Sequence, residues 1–312
     1  MAIKKIYIAD DFHAFLLNGL DLIGIEYIYH PEATRETIIK NLNGNANALL
    51  LRSKITIDKA FLDETSSLEF IGRGGAGMDN IDQEACKQKG IFCFNAGEAN
   101  AIAVAEHSLG VLLSLVRNIT SANSEVRKRI WQREQNRGVE LASLKVGIIG
   151  FGNTGSSFGH ILSCLGSTVL AYDKYKKGFG KGSVKECGLK ELFENADVIS
   201  LHVPLNDDTK QWINRDFIQK FKKPIFLMNM SRGEIVCFKS VIEELEKCKI
   251  RGFGTDVLEN EKLKTFTSEQ SSIFELAASK NKVIFTPHIA GWTKESYRKI
   301  SEVLLMKIKK YV

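Results

Sequence analysis

Apolar residues come in short runs separated by amphipathic, helix-length stretches over nearly the whole chain, which is the pattern of βαβ units and parallel sheets. In the first hundred residues the runs KIYIAD (5–10), EYIYH (26–30), ALLLRS (48–53), LEFIG (68–72) and IFCFN (91–95) read as strands. Helical spacing fills the gaps, as in TRETIIKNLN and in NIDQEACKQKG, which stops at Gly90. From Glu98 to Asn118 the chain is apolar on most sides and flanked by polar segments. This predicts a buried helix bridging two domains rather than a membrane span, which needs about 20 apolar residues between suitable flanks. Six more strands follow: KVGIIG, TVLAYD, DVISLHV, IFLMNMS, GFGTDV and VIFTPH. The last helix, from about Thr293 to Val312, comes after the final strand and is expected to cross back onto the first domain.

Composition narrows the class. A chain of 312 residues with 44% hydrophobic and 26% charged residues can bury two modest cores. The net charge of +6 is spread along the sequence, and its densest run, KIKKYV, ends a helix. It leaves no nucleic-acid footprint and suits small anions equally well. The start, MAIKKIYIAD, runs straight into a strand rather than a signal-peptide core, so a cytoplasmic protein without a membrane partner is expected. Six scattered cysteines, with no CxxC and no histidine at ligand spacing, read as free thiols and predict no metal site.

One local motif carries chemistry. Gly150, Gly152 and Gly155 stand in GxGxxG spacing directly after an apolar strand and at the mouth of a helix. Gly150 serves the tight turn, Gly152 lets the backbone approach a pyrophosphate, and Gly155 permits close packing of helix on strand. The helix start at Asn153 and Thr154 would offer free N–H groups to that pyrophosphate. The next strand closes on Asp173, whose carboxylate can accept ribose hydroxyls and would repel a 2′-phosphate. NAD is therefore expected over NADP, a preference softened by Lys174, Lys176 and Lys177.

Taken in order, GRGGAGMDNID, NAGEANAIAVAEHSLGVLLSL, GFGNTG, SLHVPLNDDT, NMSRGEIV, GTDVLENE and TPHIAGWT resemble the D-isomer-specific 2-hydroxyacid dehydrogenases over essentially the full length. Within that family the sequence is most similar to the D-3-phosphoglycerate dehydrogenase branch. The resemblance implies two doubly wound α/β domains: a flavodoxin-like substrate domain (1–97 with 289–312) and a Rossmann NAD-binding domain (98–288). It also implies hydride transfer between NAD and the C2 of a small anionic 2-hydroxy or 2-keto acid.

Arg232, Glu261 and His288 fall at or just beyond carboxyl ends of predicted strands, where open α/β sheets bind ligands. Oxidation at C2 needs a base for the hydroxyl proton, a task suited to a histidine. A neighbouring carboxylate orients its ring and stabilises its charge, and an arginine fork holds the substrate carboxylate. Alone, each has a plainer reading: a surface ion pair, a solvated loop carboxylate and a capping histidine. Their joint placement and the resemblance favour the catalytic one.

By resemblance Asp256, Met230, Ser231 and Gly291 border the nicotinamide, and His202, Val203 and Pro204 form the adenosine wall. The N–H groups of Gly75, Ala76 and Gly77 form a candidate nest for the substrate carboxylate, a simple turn being the alternative. Arg52 and Lys54, flanking Ser53, occupy a family position facing the substrate, and their charges suit a phosphate. The expected substrate is 3-phospho-D-glycerate, oxidised to 3-phosphooxypyruvate on the way to serine, with glyoxylate or hydroxypyruvate reduction as the alternative. The reading from a different class is an NADH-sensing, corepressor-like binding protein. Two departures stand out: Lys262 replaces the proline that usually follows the catalytic Glu, and 262–281 is longer and more polar than the family pattern. No C-terminal regulatory domain is expected in so short a chain. The arm NITSANSEVRKRIWQREQNRG suggests a homodimer.

Overall fold

A computed structural model describes residues 2–312. The chain divides into two compact units, Met1–Asn100 with Trp292–Val312, and Ala101–Gly291.

The first unit holds a sheet of β1 (Lys5–Ile8), β2 (Glu26–Tyr29), β3 (Ala48–Leu51), β4 (Phe70–Arg73) and β5 (Phe92–Asn95). Their spatial order is β2-β1-β3-β4-β5 and every pairing is parallel, the flavodoxin-like arrangement. Alternate residues feed two cores, Tyr7, Leu49, Leu51 and Ile71 on one face and Ile6, Ile8, Leu50 and Phe70 on the other. Burial on both faces explains why these strands read as continuous apolar runs. The helix Lys294–Ile308 packs on the helix Ala14–Leu22, with the Leu305 side chain filling the space beside Gly19. Burying Ile300, Leu304, Leu305 and Ile308 contributes about 1.5–3 kcal/mol each against exposure.

The second unit holds β6 (Lys145–Ile149), β7 (Thr168–Tyr172), β8 (Val184–Glu186), β9 (Val198–Leu201), β10 (Ile225–Asn229), β11 (Ile250–Thr255) and β12 (Val283–Phe285). The order is β12-β11-β10-β9-β6-β7-β8, again all parallel. This is the doubly wound dinucleotide-fold order with a seventh strand added, and its direction of winding reverses between β6 and β9.

Three elements differ from the sequence pattern. The apolar bridge is not one helix over 98–118: it runs Ala101–Val116, then Asn118 adopts a left-handed conformation (φ 56°) and a second helix, Ile119–Arg127, departs at 63°. Asparagine tolerates this conformation, and its side chain takes a hydrogen bond from Lys282 Nζ at 2.5 Å. Among the described residues no single helix is long and apolar enough to cross a membrane. Strand β8 has no apolar run to announce it, because it is a three-residue edge strand whose charged residues blunt the sheet. The polar stretch after Glu261 forms a short 3-10 turn, Leu263–Thr265, and a helix, Ser268–Ala278, started by a reciprocal cap between Thr267 and Gln270.

Candidate functional site

The turn after β6 lies at the switch point of the second sheet. Gly150 has φ +93°, and a Cβ there would meet the His202 carbonyl oxygen at 2.3 Å. A Cβ on Gly155 would lie 2.0 Å from the Gly150 oxygen, whereas Gly152 faces open space. Two glycines are thus required by packing and one leaves the backbone approachable. The helix Asn153–Cys164 begins at once, its first N–H groups having no carbonyl partners within the helix.

His202, at the end of β9, braces this turn. Its Nε2 lies 2.9 Å from Ser200 Oγ and its Nδ1 3.3 Å from Thr154 Oγ1. Burial pushes its pKa down to about 4, so the ring is neutral at physiological pH. Asp173, just past β7, accepts hydrogen bonds from the N–H of Phe151 (2.8 Å), Tyr175 and Lys176 (2.9 Å each). Burial opposes its ionisation, but these bonds and the Lys176 charge outweigh it and hold the carboxyl below its ordinary range. Gly150, Gly152, Asp173, His202, Val203 and Pro204 all line one cleft of about 390 Å³. Lys174 is drawn to Asp208 at 2.6 Å and Lys176 Nζ to the Phe151 carbonyl at 3.3 Å. This arrangement fits a dinucleotide with free ribose hydroxyls.

A second set gathers at the ends of β10, β11 and β12. Asn229 accepts from Ser231 N at 3.0 Å and donates to the Arg232 carbonyl at 2.8 Å, while Ser231 Oγ donates to the Leu201 carbonyl. Buried Met230 and Ser231 thus form a pinned turn ahead of Arg232. A Cβ on Gly233 would sit 1.9 Å from the Leu258 carbonyl carbon, so only glycine lets the Arg232 turn rest on the loop from β11 to Glu261.

His288 lies in the left-handed region (φ 55°), a strain of about 1–3 kcal/mol for such a residue. Its N–H donates to the Asp256 carbonyl at 2.8 Å. The buried Asp256 carboxylate accepts from the N–H of Ile289 (2.9 Å) and Ala290 (2.7 Å) and from Thr286 Oγ1 (2.6 Å). His107 Nε2 stands 3.0 Å from the same Thr286 hydroxyl. Asp256, expected beside the nicotinamide, therefore also clamps the loop that carries His288 towards Gly291. Asn229 and Thr286 were not singled out by the sequence, although they lie inside the NMSRGEIV and TPHIAGWT landmarks; His107, within the bridge landmark, reads from the sequence only as a core residue of that helix.

The Glu261 carboxylate meets His288 Nδ1 with both oxygens, at 2.9 and 3.0 Å. That hydrogen bond raises the imidazole pKa above its ordinary value; burial and the nearby Arg232 charge oppose the shift, and Asp256 favours it. With Nδ1 engaged, Nε2 remains for proton exchange.

In the first unit, Arg52 follows β3 beside the end of β1, that sheet's own switch point. Its N–H donates to Asp10 at 2.6 Å, and its guanidinium lies 4.4 Å from the Trp292 ring centre and 5.7 Å from that of Tyr297. Ser53 is exposed, and Lys54 Nζ is held by the Pro31 carbonyl at 2.5 Å. One expectation is corrected: the N–H of Gly75 turns back to the Arg73 carbonyl at 3.0 Å, because the chain makes a tight turn there, leaving Ala76 and Gly77 as the N–H groups of the expected nest. Among the described residues no group of three His, Cys, Asp or Glu converges to hold a metal.

Residues 109–290 match the model of the D-isomer specific 2-hydroxyacid dehydrogenase, NAD binding domain. The chain is 32% identical over 311 residues to a D-3-phosphoglycerate dehydrogenase of Methanocaldococcus jannaschii, aligning 98% of this chain with 57% of that protein. It is 33% identical over 262 residues to a hydroxypyruvate reductase of Thermotoga maritima, covering 84% of this chain and 83% of that one. The chain spans about half the length of the phosphoglycerate dehydrogenases it matches. A D-lactate dehydrogenase of Aquifex aeolicus, solved with NAD and lactic acid, superposes with a TM-score of 0.85 at 26% identity, covering 98% of this chain and 95% of that one.

Proposed function

Because the chain belongs to the D-isomer specific 2-hydroxyacid dehydrogenase family, we propose that it interconverts a small D-2-hydroxy acid and its 2-keto acid, with Arg232, Glu261 and His288 carrying the chemistry. The observation that carries this reading is the His288–Glu261 pair, both oxygens within 3.0 Å of Nδ1 and with the Arg232 charge close enough to oppose imidazole protonation. NAD, when bound in the cleft beside Gly152 and Asp173, supplies the hydride acceptor or donor.

In the oxidation direction, neutral His288 takes the C2 hydroxyl proton at Nε2. Glu261 stabilises the imidazolium that results, and the Arg232 fork holds the substrate carboxylate and polarises the C2 oxygen. In reduction, protonated His288 returns the proton to the forming alkoxide. Asp173, with Lys174 spoken for by Asp208, supports NAD over NADP.

The substrate proposed is 3-phospho-D-glycerate, its phosphate met by Arg52 with Ser53 and Lys54, and its carboxylate by the Ala76–Gly77 backbone. The aromatic shelf of Trp292 and Tyr297 keeps the Arg52 guanidinium in one place and supports this assignment. Hydroxypyruvate is the second reading, favoured by the Thermotoga relative whose length this chain covers most fully of the two. A panel of 3-phospho-D-glycerate, D-glycerate, D-lactate, hydroxypyruvate and glyoxylate, followed at the nicotinamide absorbance with NAD(H) and NADP(H), tests both. The first reading predicts the highest kcat/KM for the phosphorylated acid with NAD; a preference for its unphosphorylated form would sink it. A homodimer built on the arm after Asn118 is also proposed, supported by exposed Ile119, Val126, Ile130 and Trp131. Sedimentation at micromolar concentration should give twice the chain mass.

A further inference from the structure

We infer that the helix Ser268–Ala278 acts as a strap that holds Glu261 against His288, with Phe274 as its positioning residue. The inference rests on the proposed roles of Glu261 and His288 and adds a residue to them.

Glu261 has no partner from its own strand ends other than His288 among its described contacts, so its placement depends on the chain around it. On the upstream side Glu259 is fixed: its Oε1 accepts from the Phe238 N–H at 2.8 Å and from Gln211 Nε2 at 3.2 Å. On the downstream side Asn260 accepts from Lys262 N at 2.9 Å and donates to Thr265 Oγ1 at 3.1 Å, closing a small turn around Glu261. The turn is then anchored by rings. Phe266 packs edge-on against Phe274 at 5.6 Å, and Phe274 lies 5.1 Å from Phe285, three residues before His288. Phe285 in turn meets Phe238, which meets Phe253 of β11. Aromatic pairs of this kind add about 0.5–1.5 kcal/mol beyond their buried area.

The strap is also tied along its length to the helix Phe238–Glu246, by Lys239–Glu269 at 2.8 Å near its start and Lys280–Glu246 at 2.8 Å past its end. Phe274 therefore connects both arms of the pair: one set of contacts leads to the Glu261 turn, the other to the strand that delivers His288. Phe274 further lines, with Leu258, Leu263 and Phe285, a cavity of about 310 Å³ that contains Glu261 and His288 themselves. Its ring thus shares one cavity wall with the half-exposed pair.

Four charged or titratable groups bear on the imidazole: Glu261, Arg232, Asp256 and, through Asp256 at 3.7 Å, His107. Of these only Glu261 depends on the strap. Shortening Phe274 loosens the Glu261 contact, which raises the imidazole pKa, and reduces burial, which lowers it; since the first dominates, the midpoint should move down toward the ordinary histidine value.

The test titrates the His288 imidazole by NMR in the full-length protein and measures turnover of hydroxypyruvate with NADH and of 3-phospho-D-glycerate with NAD. Phe274→Ala is expected to lower the His288 midpoint and reduce kcat by about tenfold, as a misplaced catalytic group does. Phe274→Leu should restore much of both. In a Glu261→Gln background Phe274→Ala should no longer lower the midpoint, because only the loss of burial, which acts in the opposite direction, remains. A Phe274→Ala protein that loses thermal stability while keeping the wild-type midpoint would overturn the inference, and so would an undiminished effect in the Glu261→Gln background. The titration needs no substrate, so absence of turnover with every acid would count against the proposed function alone.

Discussion

The glycine turn after β6 and the Arg232–Glu261–His288 cluster sit in the same unit, yet they are built in different ways. The turn is assembled from residues close in sequence: Gly150, Gly155 and the helix start touch one another, and only His202 and Asp173 come from neighbouring strands. The cluster is assembled from the ends of three strands. It depends on Gly233 meeting Leu258, on Asp256 gripping Ile289 and Ala290, and on Asn229 holding the Arg232 turn. The first site is a property of a local segment, whereas the second is a property of the sheet and of the strap beside it.

The comparison can be broken at its strongest point by His288→Gln, which removes the proton acceptor and should reduce kcat by on the order of a thousandfold in both directions. Cofactor binding, followed by nicotinamide fluorescence, should persist; its loss would mean that the two sites are not separable. Next in size, Glu261→Gln removes the bond that holds the imidazole pKa up, with an expected fall in kcat of about a hundredfold. Its sign is definite. Oxidation requires neutral His288, so its acid limb should move to lower pH, whereas reduction requires the protonated form and should fail at lower pH than in the wild type. A profile that does not move would remove Glu261 from the pair.

On the other side of the comparison, Gly150→Ala places a Cβ against the His202 carbonyl at a left-handed position and should destabilise the fold by about 2 kcal/mol. The measurement is a denaturant midpoint, and binding of NADH should weaken with it. The smallest effect is expected from Asp173→Ala, about a tenfold rise in KM for NAD, equivalent to about 1.4 kcal/mol, with a fall in KM for NADP as the repulsion of its 2′-phosphate is removed. An unaltered NAD to NADP ratio would show that Asp173 serves only to brace Phe151, Tyr175 and Lys176.

The two sites also differed in how far they could be read. The GxGxxG spacing, with an apolar strand before it and Asp173 closing the next, was legible because the strand, turn, helix and following strand that give the motif its meaning all lie within about 30 residues. Arg232, Glu261 and His288 could be placed near strand ends by pattern, but their association drew on the family landmarks. Asn229 and Thr286 gave no signal and His107 read only as a core histidine, since an Asn, a Thr and a helix-borne His are ordinary until a distant partner arrives. Strand β8 was hidden because it has no run of apolar residues, and the break at Asn118 by an apolar stretch that continued up to it.

Sequence by itself determined the parallel α/β layering of both units, because strands buried on two faces must be apolar throughout and their crossovers must be amphipathic. It also determined the glycine turn, where Gly150 and Gly155 leave no room for a side chain. Only the tertiary structure decided that the Gly75 N–H turns inward, that Arg52 is shelved on Trp292 and Tyr297, and that the polar stretch after Glu261 is a capped helix pinned by Phe274. Each of these depends on contacts between residues remote in sequence or on a backbone turn closing locally, and neither is encoded in hydrophobic periodicity.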